Sequence, residues 1–283
     1  MRQTAQVLCA NCRAPVTAAY SDGRLNGLQC PEGHRFDAAK QGYVNMLVGR
    51  GSKHVPDTAE MVLARERAQA SGVFAALIDA LQDTTDAQLD TLSSPALLDC
   101  GAGTGHYLAP LLRQHHTACA VALDLSPAAL KRAAKLPRTL ALAWDLWREL
   151  PVASGVIDLL LNIFAPRNPS EFRRVLRPGG MAVIVTPGAD HLRELAEVGL
   201  LNMQEDKHDA LIAAMRPHLG SPSALRGIRE CSAVPVDTAV DLVMMGPAGH
   251  HRRREDVASS ILSHSDGAEV AVTVNLQITV FSR

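Results

Sequence analysis

Four residues near the amino terminus have the types and spacing of a metal site. Cys9 and Cys12 form a C-x2-C pair, and Cys30 and His34 form a C-x3-H pair in the segment CPEGH, with seventeen residues between the pairs. Each pair can sit on one tight turn, and two such turns can present three thiols and an imidazole as a tetrahedron. That donor set suits zinc, and four protein ligands leave no open coordination position, so the expected role is structural. Cys100, Cys119 and Cys231 fall in or near apolar runs and read as small core residues. Three cysteines within the first thirty residues, behind an N-terminus with no apolar leader, point to metal binding in a reducing compartment rather than to disulfides.

A second constellation begins at Asp99. The run Asp99-Cys100-Gly101-Ala102-Gly103-Thr104-Gly105 follows a short apolar stretch. Its glycines let the backbone turn sharply and let a ligand come close. The spacing is G-x-G-x-G, whereas a nicotinamide-dinucleotide site would want G-x-G-x-x-G to seat a pyrophosphate on the next helix. Asp124 ends the following apolar stretch, where it can accept both hydroxyls of a ribose. Asp145 ends a third stretch and can accept from an adenine amino group. Ribose and adenine without phosphate describe S-adenosylmethionine. A fourth stretch ends in Asn162-Ile163-Phe164-Ala165-Pro166-Arg167. Asn162 offers a donor and an acceptor and Phe164 a flat face, which together suit a planar nucleobase. The same residues also fit a plainer role, a core phenylalanine and a capping asparagine.

These residues need a frame to hold them. The chain has 283 residues, 47% hydrophobic and 20% charged, which is globular composition long enough for about two domains. A net charge of −1 excludes a uniformly basic coat, but the charge is uneven. Residues 1–54 hold seven Lys/Arg against three acids, a net of +4, which leaves −5 for the rest. A basic head on an acidic body is the asymmetry expected if the head faces phosphates. Gly49, Gly51, Ser52 and Pro56 loosen the chain there, and Asp57, with Glu60 three residues on, is placed to cap a helix that Gly72 can end. A second helical stretch starts near Val73.

From Pro95 onward, apolar strands alternate with helices. Strands are expected at 96–100, 118–124, 139–144, 156–164 and 181–186, with helices at 106–114, 127–136 and 171–176. Ser126 before Pro127 is a strong helix start. A strand near 236–245, a helix at 254–262 and a strand at 269–281 would close an antiparallel edge. The expected architecture is therefore α/β, a Rossmann-like class I S-adenosylmethionine-dependent methyltransferase domain carrying a small N-terminal zinc-ribbon-like domain. The expected boundaries are 1–54 for the zinc domain, 55–94 for a helical linker and 95–283 for the methyltransferase domain.

With both parts in view, the chain resembles the zinc-containing 23S rRNA guanine-N1 methyltransferases over nearly its whole length. The likeness lies in CANC…CPEGHRFDAAKQGYVNMLV, AEMVLARERA, LDCGAGTG, NIFAPRNPSEFRRVLRPGG and VTPGADHLREL. NIFAPRNP and GTGH resemble the branch that modifies guanine 748 and includes tylosin- and mycinamicin-resistance enzymes; a sister branch modifies guanine 745. The resemblance implies cofactor contacts for Phe74 and His191, alongside Gly101, Gly103 and Thr104. It also implies a 23S rRNA hairpin or large-subunit precursor as partner, a homodimer with RNA between its subunits, and a cytoplasmic location. Cys100 stands where relatives often carry another apolar residue. Cations expected to meet phosphate are Arg35, Lys40, Arg50 and Lys53 in the head, Arg167, Arg173 and Arg174 near the pocket, and Arg252–Arg254. One rival reading is a small-molecule methyltransferase, which would have no use for a basic zinc head. The other is a zinc-ribbon binding module on an inactive scaffold, against which the intact glycine loop and Asp124 argue.

Overall fold

The structure is a computed structural model that describes residues 6–49, 51–202, 208–265 and 267–283. The expected phosphate contact at Arg50 lies outside these residues. The head contains β1 (Thr17–Ser21), β2 (Arg24–Gln29) and β3 (Arg35–Asp37), an antiparallel sheet in that order. Asp22 and Gly23, both at positive φ, make the tight turn joining β1 to β2. The next strand, β4 (Val44–Asn45), leaves this small sheet and pairs in parallel with β7 (Thr139–Ala143). The segment before the loosened linker is thus already an edge of the large sheet.

That sheet is completed by β5 (Ala96–Cys100), β6 (Cys119–Asp124), β8 (Ile157–Ile163), β9 (Leu176–Pro187), β10 (Ala224–Pro235) and β11 (Glu269–Ser282). Its order is β10-β11-β9-β8-β5-β6-β7-β4, parallel from β4 to β9, with β11 and β10 antiparallel at the far edge. Successive strands step away from β5 in opposite directions. The crevice over the carboxyl ends of β5 and β8 is therefore the place where such a sheet binds a ligand.

Strands β5 to β8 are buried on both faces, which is why they read as continuous apolar runs. Leu97, Ala120, Leu159 and Val183 point to one core and Leu98, Val121, Leu160 and Ala182 to the other. Val7, Val16, Leu28 and Phe36 of the head share the second core with Leu150 and Val152. Arg13 also reaches across to Glu149 at 2.7 Å and to the Leu150 carbonyl at 2.9 Å.

The helices are α1 (Ala59–Ala70), α2 (Ala75–Leu89), α3 (Leu108–Gln114), α4 (Pro127–Ala133), α5 (Pro169–Val175), α6 (Arg193–Glu197), α7 (His208–Leu219), α8 (Val236–Met244) and α9 (Arg254–Leu262). Ser126 caps α4 as expected, accepting the Ala129 N–H at 3.3 Å. The cap of α1 is Thr58 and not Asp57: the Thr58 hydroxyl accepts the Met61 N–H, while Asp57 pairs with Arg65 at 2.5 Å.

The expected strand at 236–245 is instead helix α8. Its valines suggested a strand, but Asp241 lies in the middle of the run. Arg67 donates to its carboxylate at 2.7 and 2.9 Å and Arg254 donates as well, so a buried charge on a helix is paired from two neighbouring helices. The strand beside β11 is β10, most of whose side chains are exposed. As an edge strand it carries no apolar signature to read. Among the described residues no helix is long and apolar enough to cross a membrane.

Candidate functional site

In the head, two backbone turns bring the four expected donors together. The Arg13 N–H donates to the Cys9 carbonyl and the Gly33 N–H to the Cys30 carbonyl, folding each pair into a knuckle. All four donor atoms lie within 4.8 Å of one another. Cys12 Sγ is 3.7 Å from Cys30 Sγ, and Cys30 Sγ is 3.3 Å from His34 Nδ1. A tetrahedron with metal–sulfur bonds of about 2.3 Å has sulfurs about 3.8 Å apart, so the cluster fits zinc. Burial pushes the Cys9 thiol up, but N–H groups of Cys12 and Asn11 outweigh it and hold the thiol below its ordinary value, which favours the thiolate a metal needs.

At the carboxyl ends of the sheet, β5 runs into the glycine loop. Gly101 and Ala102 both donate to the Leu123 carbonyl, at 2.8 and 2.9 Å, which ties the loop to the end of β6. A side chain at Gly101 would collide with Ala165 of the β8 loop. Gly103 differs: at φ +55° it has room for a side chain, which would meet only Arg65 Nη1 at 3.6 Å, so its backbone face is uncrowded.

Asp124 accepts the Gly103 N–H at 2.8 Å and the Ser126 N–H at 2.7 Å. Burial raises its pKa, and those two donors counter the rise. Asp99 is buried beneath the loop, and burial with the Asp124 carboxylate pushes it up to about 8. Asp145 accepts the Ser52 hydroxyl at 2.7 Å and the Trp147 N–H at 3.0 Å. The linker therefore crosses the site beside it, above a cavity of about 420 Å³ lined in part by Lys53, His54 and Trp147. The structure thus brings Asp99, Gly101, Gly103, Thr104, Asp124 and Asp145 to one edge, as expected. Thr104 Oγ1 donates to Gln69 of α1 at 3.2 Å.

Beyond the loop lies an aromatic cluster. Phe164 ends β8 at φ +55° and is 41% exposed. Its ring is 6.4 Å from both Phe74 and Tyr107, and it stacks on His191 at 6.2 Å with an interplanar angle of 17°. A bulky residue at positive φ is strained and persists where the surroundings hold it, as they do at ligand sites. Burial lowers the His191 pKa to about 4, and its Nδ1 accepts the Asn275 N–H, so at neutral pH the ring is neutral with its proton on Nε2.

Asn162 requires a correction. It has no exposed surface, and its amide donates to the Cys100 carbonyl at 3.0 Å and the Pro166 carbonyl at 2.9 Å. Its side chain braces the β8 loop against β5 and does not face a base.

The expected phosphate contacts also divide. Arg174 is held by Glu171 and by the carbonyls of Leu150 and Val152, and Arg254 by Asp241. Both are structural, whereas Arg35, Lys40, Lys53 and Arg173 are exposed.

Two residues beside the pocket escape a reading by spacing. Tyr107 follows the loop, and burial keeps its hydroxyl protonated. Arg65 on α1 donates to the Met245 carbonyl at 2.8 Å and pairs with Asp57 within reach of Gly103. Only the packing of α1 over the loop shows this.

Two family models match. A zinc-ribbon model described as "RlmA, N-terminal" covers residues 8–49, and a "Methyltransferase domain" model covers residues 97–180. The chain is 37% identical over 272 residues to a 23S rRNA (guanine(748)-N(1))-methyltransferase of Streptomyces fradiae, covering 95% of each chain. It is 39% identical over 282 residues to a putative 23S rRNA (guanine-N(1)-)-methyltransferase of Micromonospora griseorubida, again covering 95% of each. A protein of Bacillus subtilis (strain 168) with the same putative description is 32% identical over 67% of each chain. A tetrahedral Cys3His head fused to a glycine-loop methyltransferase sheet, with likeness running from end to end, places this chain in the 23S rRNA (guanine-N1)-methyltransferase family.

Proposed function

We propose that the chain moves a methyl group from S-adenosylmethionine to N1 of a guanine in a 23S rRNA hairpin loop, and that this guanine is 748. The observation that carries the reading is the exposed, strained Phe164 at the mouth of the glycine-loop crevice, in a chain with two relatives over 95% of its length described as 23S rRNA guanine-N1 methyltransferases, one putative and one naming guanine 748.

Bound in the crevice, the cofactor supplies an electrophilic methyl group on a good leaving group. The Asp124 carboxylate holds the ribose hydroxyls and Asp145 the adenine edge, with Gly101, Gly103 and Thr104 lining the path between them. Asp99 takes the cationic methionine end, while Phe74 and neutral His191 close the side nearest Phe164. The Phe164 ring stacks the splayed guanine, and Asn162 positions it by fixing the loop. Catalysis then rests mainly on alignment of N1 with the transferable carbon: the N1–carbon bond would form as the carbon–sulfur bond breaks, the sulfur leaving as a neutral thioether and the N1 proton passing to water at the open mouth of the crevice. A loop guanine leaves its stack at low cost.

Phe164→Ala is expected to lower methylation of the hairpin by about ten- to a hundredfold, since base–aromatic stacking contributes about 1–3 kcal/mol. Phe164→Trp should retain most activity. Rates of methyl incorporation check both variants, and equal loss in both would remove stacking from the account.

The second expectation concerns pH. With its pKa at about 8, Asp99 is mostly protonated below that pH in the free protein. A cationic ligand favours the carboxylate, so binding releases a proton. Affinity should therefore rise with pH, by up to about tenfold per unit, and level off above pH 8. Calorimetry in buffers of different ionisation heat measures this proton release. Asp99→Asn should abolish it.

A homodimer with RNA between its subunits, a cytoplasmic place of action and protection of the exit tunnel from a macrolide belong to the same reading. Its support is the likeness to the guanine-748 relative.

A further inference from the structure

A groove of about 1000 Å³ lies between the head and the end of the large sheet opposite the donor crevice. One wall carries Tyr20, Arg24 and Lys40, the other Lys135 and Arg138, and Thr139 at the start of β7 lies on its floor. The donor crevice opens at the other end of these strands. Thr139 and Ala143 bound β7, so at about 3.3 Å per residue the two sites are roughly 13 Å apart or more.

Three features set the groove apart from a solvated surface. First, no carboxylate lies among its described lining residues. Second, Arg24, Lys40 and Lys135 are exposed and form no ion pair among the described residues, although most arginines around the core do. Arg138 is different: its guanidinium donates to the carbonyls of Leu112 and Ala118 and so frames the wall. Third, the head is tied to the sheet beside the groove, since β4 pairs with β7. A row of unpaired cations beside a 63% exposed tyrosine is the donor set that meets a nucleic-acid backbone and stacks an unpaired base.

We propose that this groove is a second RNA site, binding the backbone of the substrate hairpin on the side away from the methyl donor through Arg24, Lys40 and Lys135. It rests on the RNA reading above and extends it. The hairpin would be gripped at two ends of one sheet, so the head acts as a clamp on the stem while the loop guanine enters the crevice. Because β4 already pairs the head with the sheet, less has to be ordered when RNA is gripped.

The test uses the full-length, zinc-loaded chain and a 23S rRNA hairpin containing guanine 748. The double variant Arg24→Ala/Lys135→Ala should weaken RNA binding about tenfold near 0.1 M salt and reduce the slope of log affinity against log salt by about 1.5. Affinity for S-adenosylmethionine should not move, and Arg24→Lys/Lys135→Arg should restore binding. Shortening the stem should weaken the wild type but not the double variant, because both changes remove the same contact. Wild-type binding with an unchanged slope in the variant would overturn the groove assignment alone, in favour of an acidic protein partner. A wild-type chain that binds no RNA would overturn it together with the reading it rests on.

Discussion

Asp124→Ala is expected to lower affinity for S-adenosylmethionine by about a hundredfold or more. In the proposed pose the change would remove two charge-assisted hydrogen bonds to the ribose hydroxyls, each contributing about 1.5–3 kcal/mol. The cost does not stop there. Asp124 also accepts the N–H groups of Gly103 and Ser126, so alanine leaves both donors without their partner at the turn that shapes the loop. Asp124→Asn separates these effects, because it keeps an acceptor for one N–H while removing the charge. It should lose less affinity than the alanine variant. Calorimetry with the cofactor alone reads both, without RNA. Wild-type affinity in the alanine variant would remove Asp124 from the pocket.

Cys30→Ala should have the larger effect on RNA methylation, a fall of about a hundredfold or more. The few apolar residues of the head pack into the second core of the sheet and form no separate core among the described residues, and metal binding in small zinc domains supplies roughly 10–16 kcal/mol toward folding. Without Cys30 the tetrahedron loses a buried ligand that touches both Cys12 and His34. The expected result is loss of bound zinc and early proteolysis within the first fifty residues. Cofactor affinity should change only a few-fold, since the head reaches the crevice at its Asp145 edge alone, through the Ser52 hydroxyl and through Arg148, which donates to the Val48 and Gly51 carbonyls. A chelator applied to the wild type should reproduce the pattern. Equal loss of cofactor affinity and RNA methylation would show that head and crevice fold as one unit.

Much of this site was legible because its signals are local. The C-x2-C and C-x3-H spacings, the glycine run after an apolar strand and Ser126-Pro127 each carry their geometry within a few residues. Strands β5 to β9 were legible for the same reason, as buried parallel strands punctuated by turns. What failed depended on partners far along the chain. Helix α8 was mistaken for a strand because the pairing of Asp241 with Arg67 and Arg254 cannot be seen in VDTAVDLVM. Strand β10 went unseen because an exposed edge strand has no apolar alternation. Asn162 looked like a base-reading residue, yet whether its amide faces a ligand or two carbonyls depends on where Cys100 and Pro166 lie. Arg65 and the basic groove arise only when separate elements pack together.

Methylation of N1 of one guanine in 23S rRNA leaves a mark that can be read directly. N1 methylation blocks Watson–Crick pairing, so reverse transcriptase stops beside the modified base. The deciding measurement is primer extension on a 23S rRNA hairpin after incubation with the zinc-loaded chain and S-adenosylmethionine. A stop at guanine 748 is expected, absent without the cofactor. A stop at guanine 745 would keep the chemistry and move the target. No stop on hairpin or assembled subunit, from protein that binds the cofactor, would contradict the proposed function.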